Sequence, residues 1–145
     1  NVYDYSTIYL QGGKIDENTQ IIPHAKSDWK EKKESVLHYS MSKIISEELV
    51  RIYREKYGIF AINLRMGAVH PQNVPYENEP DDYAIWLSHE DLGEIIRKAV
   101  NFDGFEDLAC VSNNSENFVD LNHLERVLGY VPKSNSGSKK VILSS

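Results

Sequence analysis

One stretch constrains the fold more than any other: an amphipathic segment, a glycine and an apolar run follow one another without a break. Residues 39–57 predict a helix, because apolar residues recur there at three- and four-residue spacings. Gly58 stands where helices commonly end, and residues 59–66 (IFAINLRM) predict a strand buried in a parallel sheet. A helix that leads into a buried strand is half of a right-handed crossover unit. The apolar face of the predicted helix comprises Ile44, Ile45, Leu49, Ile52 and Tyr53.

Elements of the same two kinds occur along the rest of the chain. Ser88 begins a capping-box pattern, with Asp91 in the place usually held by glutamate or glutamine, which predicts the start of another helix. The other expected elements are strands at 2–10 and 108–112, a helix at 120–128 and a proline-containing loop at 67–86. This alternation predicts an α/β domain with a mainly parallel sheet.

The chain is expected to form one folded unit over residues 1–132. The residues after Pro132 are mainly serine, asparagine, glycine and lysine, which predicts a flexible tail at 133–145. The chain begins with Asn1 and leads at once into a strand-like run, which indicates a fragment of a longer protein.

Composition and charge narrow the partners that such a chain can have. The net charge of −6 argues against nucleic acid or an anionic membrane surface as a partner. No apolar stretch approaches the length that crosses a bilayer. The single cysteine, Cys110, favours a reducing, cytoplasmic setting and is predicted to be a small core residue. The histidines are scattered without ligand spacing, so no metal site is predicted.

Tyr39 and Lys43 are the candidate reactive residues. Their four-residue spacing at the start of a helix places both side chains on one face. An ammonium beside a phenol favours the phenolate, which makes the tyrosine a usable general acid and base near neutral pH. Ser6 and Thr7 lie near the carboxyl end of the first predicted strand, where a hydroxyl could orient a substrate oxygen. Taken alone, the tyrosine–lysine spacing fits an ordinary amphipathic helix equally well.

The order of several motifs along the chain is more specific than the tyrosine–lysine pair alone. The run YSMSK…EELVRIYREKYGIFAINLRMGAVHP, followed by WLSHEDLGEII and LGYVPK, resembles the extended short-chain dehydrogenase/reductase family over nearly the whole chain. Within that family it is most similar to uronate dehydrogenases and related NAD-dependent sugar oxidoreductases. The resemblance implies the C-terminal part of a Rossmann-type, doubly wound parallel sheet with a small substrate-side region. It also implies NAD(P)-dependent hydride transfer to or from a hydroxyl or carbonyl group of a small sugar-like substrate.

The resemblance implies roles for individual residues as well. Tyr39 would be the catalytic acid/base, Lys43 would contact the nicotinamide ribose and support Tyr39, and Ser6 would complete the catalytic triad. Contacts with NAD or NADP are implied for Tyr39, Lys43, Ala68 and Val69, and contacts with the substrate for Ser6, Thr7 and Trp86. A homodimer built on the helices equivalent to residues 39–57 is also implied.

Departures from the family pattern leave alternatives open. Ala68 stands where uronate dehydrogenases favour serine. Residues 79–83 (EPDDY) contain no arginine to pair with a uronate carboxylate, and their acidic side chains would repel it. The sequence also lacks the GxxGxxG turn that binds a cofactor pyrophosphate. The alternatives are a sugar epimerase or dehydratase with the same triad, and a non-catalytic binding subunit that lacks the cofactor half.

Overall fold

The structure, a computed structural model, describes residues 14–16, 19, 34–77 and 82–137. Its elements are α1 (Glu34–Tyr57), β1 (Ala61–Met66), α2 (Asp82–Ile85), α3 (His89–Ala99), β2 (Phe105–Cys110) and α4 (Asn122–Leu128). The elements predicted within these ranges are present, and α2 is an additional short helix inside the predicted loop. The strand predicted at residues 2–10 lies outside the described residues. In the part that is described, no helix has the length and apolar character needed to cross a membrane.

The two strands pair in parallel, with Ala61 opposite Phe105 and Met66 opposite Cys110. Because α3 lies between them in the chain, β1, α3 and β2 form one crossover unit. The α/β class is thus confirmed, with a two-stranded parallel sheet in the described residues. Since both strands run the same way, their carboxyl ends lie at one edge of the sheet.

Two groups of apolar side chains form the core. The first surrounds α2 and consists of Ile15, Ala84, Ile85, Val111, Phe118 and Val119. The second joins α3, α4 and the sheet and consists of Leu87, Ile95, Leu108, Cys110, Leu124, Leu128 and Tyr130. Burial raises the pKa of the Cys110 thiol to about 12, so this sulfur is an unreactive packing group, as its apolar neighbours in the sequence predicted.

The face that α1 turns to the sheet is charged rather than apolar. Ile45 is 55% exposed and Leu49 is 50% exposed, although both were predicted on the apolar face. Ile44, from the same set, packs against the core. Glu47 is buried and pairs with Arg65 of β1. The predicted helix is confirmed, but much of its apolar side lies toward solvent. The side that faces β1 instead places the Glu47 carboxylate against Arg65.

The buried carboxylate of Asp91 joins α3 to the end of the domain. Ser88 Oγ accepts a hydrogen bond from the backbone N of Asp91 at 3.0 Å, which confirms the predicted N-cap. In a complete capping box the side chain at the position of Asp91 would accept a hydrogen bond from the backbone N–H of the N-cap residue. Here the Asp91 side chain accepts hydrogen bonds from other segments instead. Its four donors are Ser112 Oγ at 2.6 Å, Tyr130 OH at 2.7 Å, Lys133 N at 2.8 Å and Ser134 N at 3.1 Å.

Residues 133–137 are held against the domain by hydrogen bonds. Ser88 Oγ donates to Ser134 Oγ at 2.7 Å, and Ser136 Oγ donates to the carbonyl of Tyr83 at 2.6 Å. The backbone N–H groups of Lys133 and Ser134 are donors to the buried Asp91 carboxylate. The flexible tail at 133–145 stays a prediction. Residues 138–145 lie outside the described residues.

We expect Asp91→Asn to destabilise the chain by about 2 to 4 kcal/mol at neutral pH, because an amide turns donors toward groups that themselves donate. Burial acts to raise the pKa of Asp91, but hydrogen bonds from Ser112, Lys133, Tyr130 and Ser134 outweigh it, and the pKa is lowered. The carboxylate's stabilising contribution is therefore complete above its unfolded pKa of about 4 and is lost as pH falls through the folded value. Urea unfolding at neutral pH and at about pH 3 measures both effects.

Glu94→Gln, on the same helix, is the matched control. Glu94 pairs with Arg97 at 2.6 Å at the protein surface, where solvent screens the ion pair. The control should therefore lose much less stability than Asp91→Asn. An Asp91→Asn variant that loses no more than the control, or keeps the acid sensitivity of the unsubstituted chain, would contradict the role given to Asp91.

Gly67 directly follows β1, where another backbone segment comes too close for a side chain. A Cβ at this position would overlap the carbonyl oxygen of Ile85 and lie 2.9 Å from Val111 Cγ1. We expect Gly67→Ala to destabilise the chain by at least about 2 kcal/mol. Gly93→Ala, in α3, meets nothing within 4 Å and should stabilise by up to about 1 kcal/mol. Thermal unfolding compares the two variants, and equal melting temperatures would refute the close approach at Gly67.

Candidate active site

A cavity of about 480 Å³ opens at the carboxyl end of β1, beside α1. Ligands of open α/β sheets bind outside the carboxyl ends of parallel strands, so a site is expected at this edge. Three predicted site residues, Tyr39, Lys43 and Val69, share the cavity. The full lining consists of Tyr39, Lys43 and Glu47 from α1, Leu64, Arg65 and Met66 from β1, and Gly67 and Val69 from the following loop.

Tyr39 and Lys43 meet on one face of α1, as their spacing predicted. Lys43 Nζ lies 5.2 Å from the centroid of the Tyr39 ring. Tyr39 is 55% exposed, so the phenol is accessible to a ligand. Within the described ranges, Lys43 forms no ion pair with a carboxylate. The arrangement places an ammonium group beside an accessible phenol.

A cluster of charged side chains next to this pair ties α1 to both strands. Arg65 donates from Nε to Glu47 Oε1 at 3.0 Å and from Nη2 to Glu47 Oε2 at 2.8 Å. Arg65 Nη2 also lies 3.3 Å from Asp107 Oδ2 on β2. Asp107 accepts further hydrogen bonds from Asn63 Nδ2 at 2.6 Å and Arg51 Nη2 at 3.1 Å. The side chains of Glu47 and Arg65 are 11% and 10% exposed, so their two-point contact is largely shielded from water.

The sequence-based predictions did not include this cluster, although a signal for it was present. Glu47 continues the four-residue spacing of Tyr39 and Lys43 along the helix. Asn63 and Arg65 are polar residues two apart in an otherwise apolar strand, so they share one face of the sheet. A polar helix face and a polar strand face together indicate a charged layer between the two elements.

Two further predicted site residues, Ala68 and Trp86, do not line this cavity. Ala68 and Trp86 form a short parallel bridge instead. Trp86 is 6% exposed, and its indole Nε1 is buried with no hydrogen-bond partner in the described part of the chain. Ser6 and Thr7 lie outside the described residues, so the roles implied for them stay predictions.

A histidine–aspartate contact holds the loop that follows β1. His70 Nε2 lies 2.8 Å from Asp82 Oδ2, and Tyr76 N donates to the same oxygen at 2.6 Å. The ring centroids of His70 and Tyr76 are 3.8 Å apart. Asp82 is buried, so one of the acidic residues expected to repel a carboxylate ligand is engaged within the loop itself.

No family model matches the chain, but individual enzymes do. It is 31% identical over 99 residues to an NAD-dependent glucose-6-phosphate dehydrogenase of Haloferax volcanii, a match that covers 68% of this chain and 37% of that enzyme. It is 27% identical over 111 residues to an L-arabinose 1-dehydrogenase (NAD(P)+) of the same organism, covering 70% and 44%. A uronate dehydrogenase of Pseudomonas putida is 30% identical over 104 residues, covering 68% and 36%. The chain thus spans less than half the length of these relatives.

Comparison with solved structures finds a similar fold. The crystal structure of a uronate dehydrogenase from Agrobacterium tumefaciens superposes with a TM-score of 0.68 at 24% identity, over 87% of this chain and 42% of that one. The described α/β segment therefore adopts part of that enzyme's fold. The resemblance predicted from the sequence is confirmed: the chain matches about 40% of the length of NAD-dependent sugar dehydrogenases of the extended short-chain dehydrogenase/reductase family.

Proposed function

We propose that this chain forms the substrate-side part of an NAD(P)-dependent oxidoreductase that acts on a hydroxyl or carbonyl group of a small sugar-like molecule. The observation that carries the proposal is the Tyr39–Lys43 pair, which borders a cavity at the carboxyl end of β1. The relatives, named as dehydrogenases of glucose 6-phosphate, L-arabinose and uronate, support this class of reaction.

NAD or NADP is the cofactor that the proposal requires, and the cavity residues fit its nicotinamide end. Tyr39 and Lys43 offer a hydroxyl and an ammonium to the ribose hydroxyls, and Met66 and Val69 offer apolar surface to the ring. Ala68, from the same loop, is proposed as a further contact. When bound, the nicotinamide accepts or supplies the hydride. Only this end of the cofactor is assigned to the chain, because the sequence contains no GxxGxxG turn for a pyrophosphate.

Each side chain has one task in this proposal. The Tyr39 oxygen takes the proton of the substrate hydroxyl during oxidation and returns it during reduction. The Lys43 ammonium stabilises the negative charge on the phenol oxygen between those steps. Ser6 donates a hydrogen bond that holds the substrate oxygen near Tyr39, with Thr7 as the second candidate.

Two rival functions make different predictions. An epimerase or dehydratase would use the same pair but release no reduced cofactor. A non-catalytic binding subunit would bind a sugar without turnover. The protein expressed from its complete reading frame, assayed for NADH formation and for sugar isomers, separates the three functions.

The loop that precedes Trp86 should determine which substrate charge the site accepts. Residues 79–83 contain no arginine, and Ala68 stands where uronate dehydrogenases favour serine. We expect L-arabinose to be oxidised with a kcat/KM at least about tenfold higher than D-glucuronate, because a missing charge-assisted contact costs about 1.5 kcal/mol or more. Initial rates with NAD+ measure the ratio, with D-glucose 6-phosphate as the third substrate. A preference for glucuronate would reverse this assignment.

We expect Tyr39→Phe to lower kcat by at least about 100-fold, because it removes the acid/base group and keeps the ring. Binding of NAD+, followed by the quenching of tryptophan fluorescence, should persist. Tyr53→Phe is the matched control, since Tyr53 lies on the same helix, is 54% exposed and does not line the cavity. Undiminished turnover in the Tyr39 variant would rule out the mechanism.

A further inference from the structure

Lys43 has two neighbours on its helix face, one turn away in each direction. Tyr39 lies four residues before it and Glu47 lies four residues after it, and all three line the same cavity. A carboxylate four residues from a lysine on a helix forms an ion pair readily. Lys43 nevertheless lies over the Tyr39 ring. In the described structure it forms no ion pair with Glu47.

Glu47 is occupied by a stronger partner. Arg65 engages both carboxylate oxygens of Glu47, through Nε at 3.0 Å and Nη2 at 2.8 Å. A guanidinium matches the geometry of a carboxylate at two points, whereas an ammonium acts as a single point charge. Because the two side chains are about nine-tenths buried, water competes little for the contact.

Arg65 is itself fixed by the neighbouring strand. Asp107 lies 3.3 Å from Arg65 Nη2 and is positioned by hydrogen bonds from Asn63 and Arg51. The guanidinium therefore has a carboxylate on both sides and cannot leave Glu47 without also changing its contact with β2. The chain thus holds Glu47 away from Lys43 through residues of three different elements.

We infer that Arg65 is a positioning residue that keeps Glu47 from pairing with Lys43, so that the Lys43 ammonium stays available to Tyr39. The inference rests on the proposed function of the Tyr39–Lys43 pair. Without Arg65, the buried Glu47 carboxylate would lose its two-point partner. The cations one helical turn away are Lys43 and Arg51, and Arg51 is already engaged by Glu48 and Asp107. A lysine drawn toward Glu47 would no longer offset charge on the Tyr39 oxygen.

In the described residues, the charged groups that line the cavity with Lys43 are Glu47 on α1 and Arg65 on β1. Asp107 on β2 contacts Arg65, and Arg51 on α1 contacts Asp107. The loop after β1 adds uncharged Gly67 and Val69 to the cavity, and its His70 is paired with Asp82. Of these groups, Glu47 is the anion that shares the cavity with Lys43, so Glu47 is the group whose release matters.

The test compares Arg65→Met with the double variant Arg65→Met/Glu47→Gln, in the protein expressed from its complete reading frame. Arg65→Met should move the acidic limb of the kcat–pH profile upward by about one pH unit and lower kcat about tenfold at neutral pH, with little change in the KM for sugar. The double variant, which removes the released carboxylate, should restore the limb and most of kcat. A limb that does not move, or that is not restored by Glu47→Gln, would overturn the inference.

Arg54→Met controls for the loss of a cation elsewhere on the same helix. In the described residues Arg54 donates to the carbonyl of Ile59 and stands outside the Glu47–Arg65–Asp107 contacts, so its loss should leave the pH profile in place. If Arg65→Met fails to fold, Arg65→Lys replaces it, because a lysine keeps the charge but cannot bind both oxygens. A smaller upward shift that Glu47→Gln cancels would support the inference, and a shift that Glu47→Gln leaves unchanged would refute it.

A second readout works without turnover. The ionisation of Tyr39 is followed by the difference in ultraviolet absorbance between each protein and its Tyr39→Phe counterpart. Arg65→Met should move this titration to higher pH, and the double variant should move it back. Loss of turnover in all proteins with the titration shift intact would refute the proposed function but not the positioning role. An unmoved titration would refute the positioning role whatever the activity.

Discussion

The contact between Arg65 and the two carboxylates of Glu47 and Asp107 determines where the site helix stands. Charged groups removed from water must be paired with good geometry, since an unmatched one is costly. The two-point contact fixes the helix in one register on β1 and β2. The positions of Tyr39 and Lys43 relative to the strand ends follow from that register.

Local patterns predicted the elements well, because each depends on residues close in sequence. The helix through Tyr57 ends at Gly58, whose φ of 65° is one that glycine adopts without strain. The N-cap at Ser88 is likewise a contact across three residues. The partners of Asp91 could not be predicted in this way, since they lie 21 to 43 residues further along the chain. The direction of the apolar side of α1 was missed for a related reason: periodicity shows that a helix has two faces but not which neighbour each face meets.

The same distinction between local and long-range contacts applies to the candidate site. The Tyr39–Lys43 pair is local, and the structure brings the two side chains together as predicted. Val69 reaches the same cavity because it follows the strand end directly, whereas Trp86 is set into the core next to Ala68. Whether an aromatic residue walls a pocket or packs inside depends on contacts that no short motif specifies. The loop contact between His70 and Asp82 belongs to the same class of long-range features.

The Asp91 carboxylate also has a consequence for the order of events during synthesis. The helix that carries it can form as soon as residues 88–99 are available, since its cap is local. The donors at Tyr130, Lys133 and Ser134 lie about forty residues further along the chain, so they are synthesised later. Until they arrive, the carboxylate must stay in water, because burying an unpaired charge is prohibitively unfavourable. The core around α3 can therefore close only late in translation, and the segment at 130–134 acts as the final step in assembling the domain.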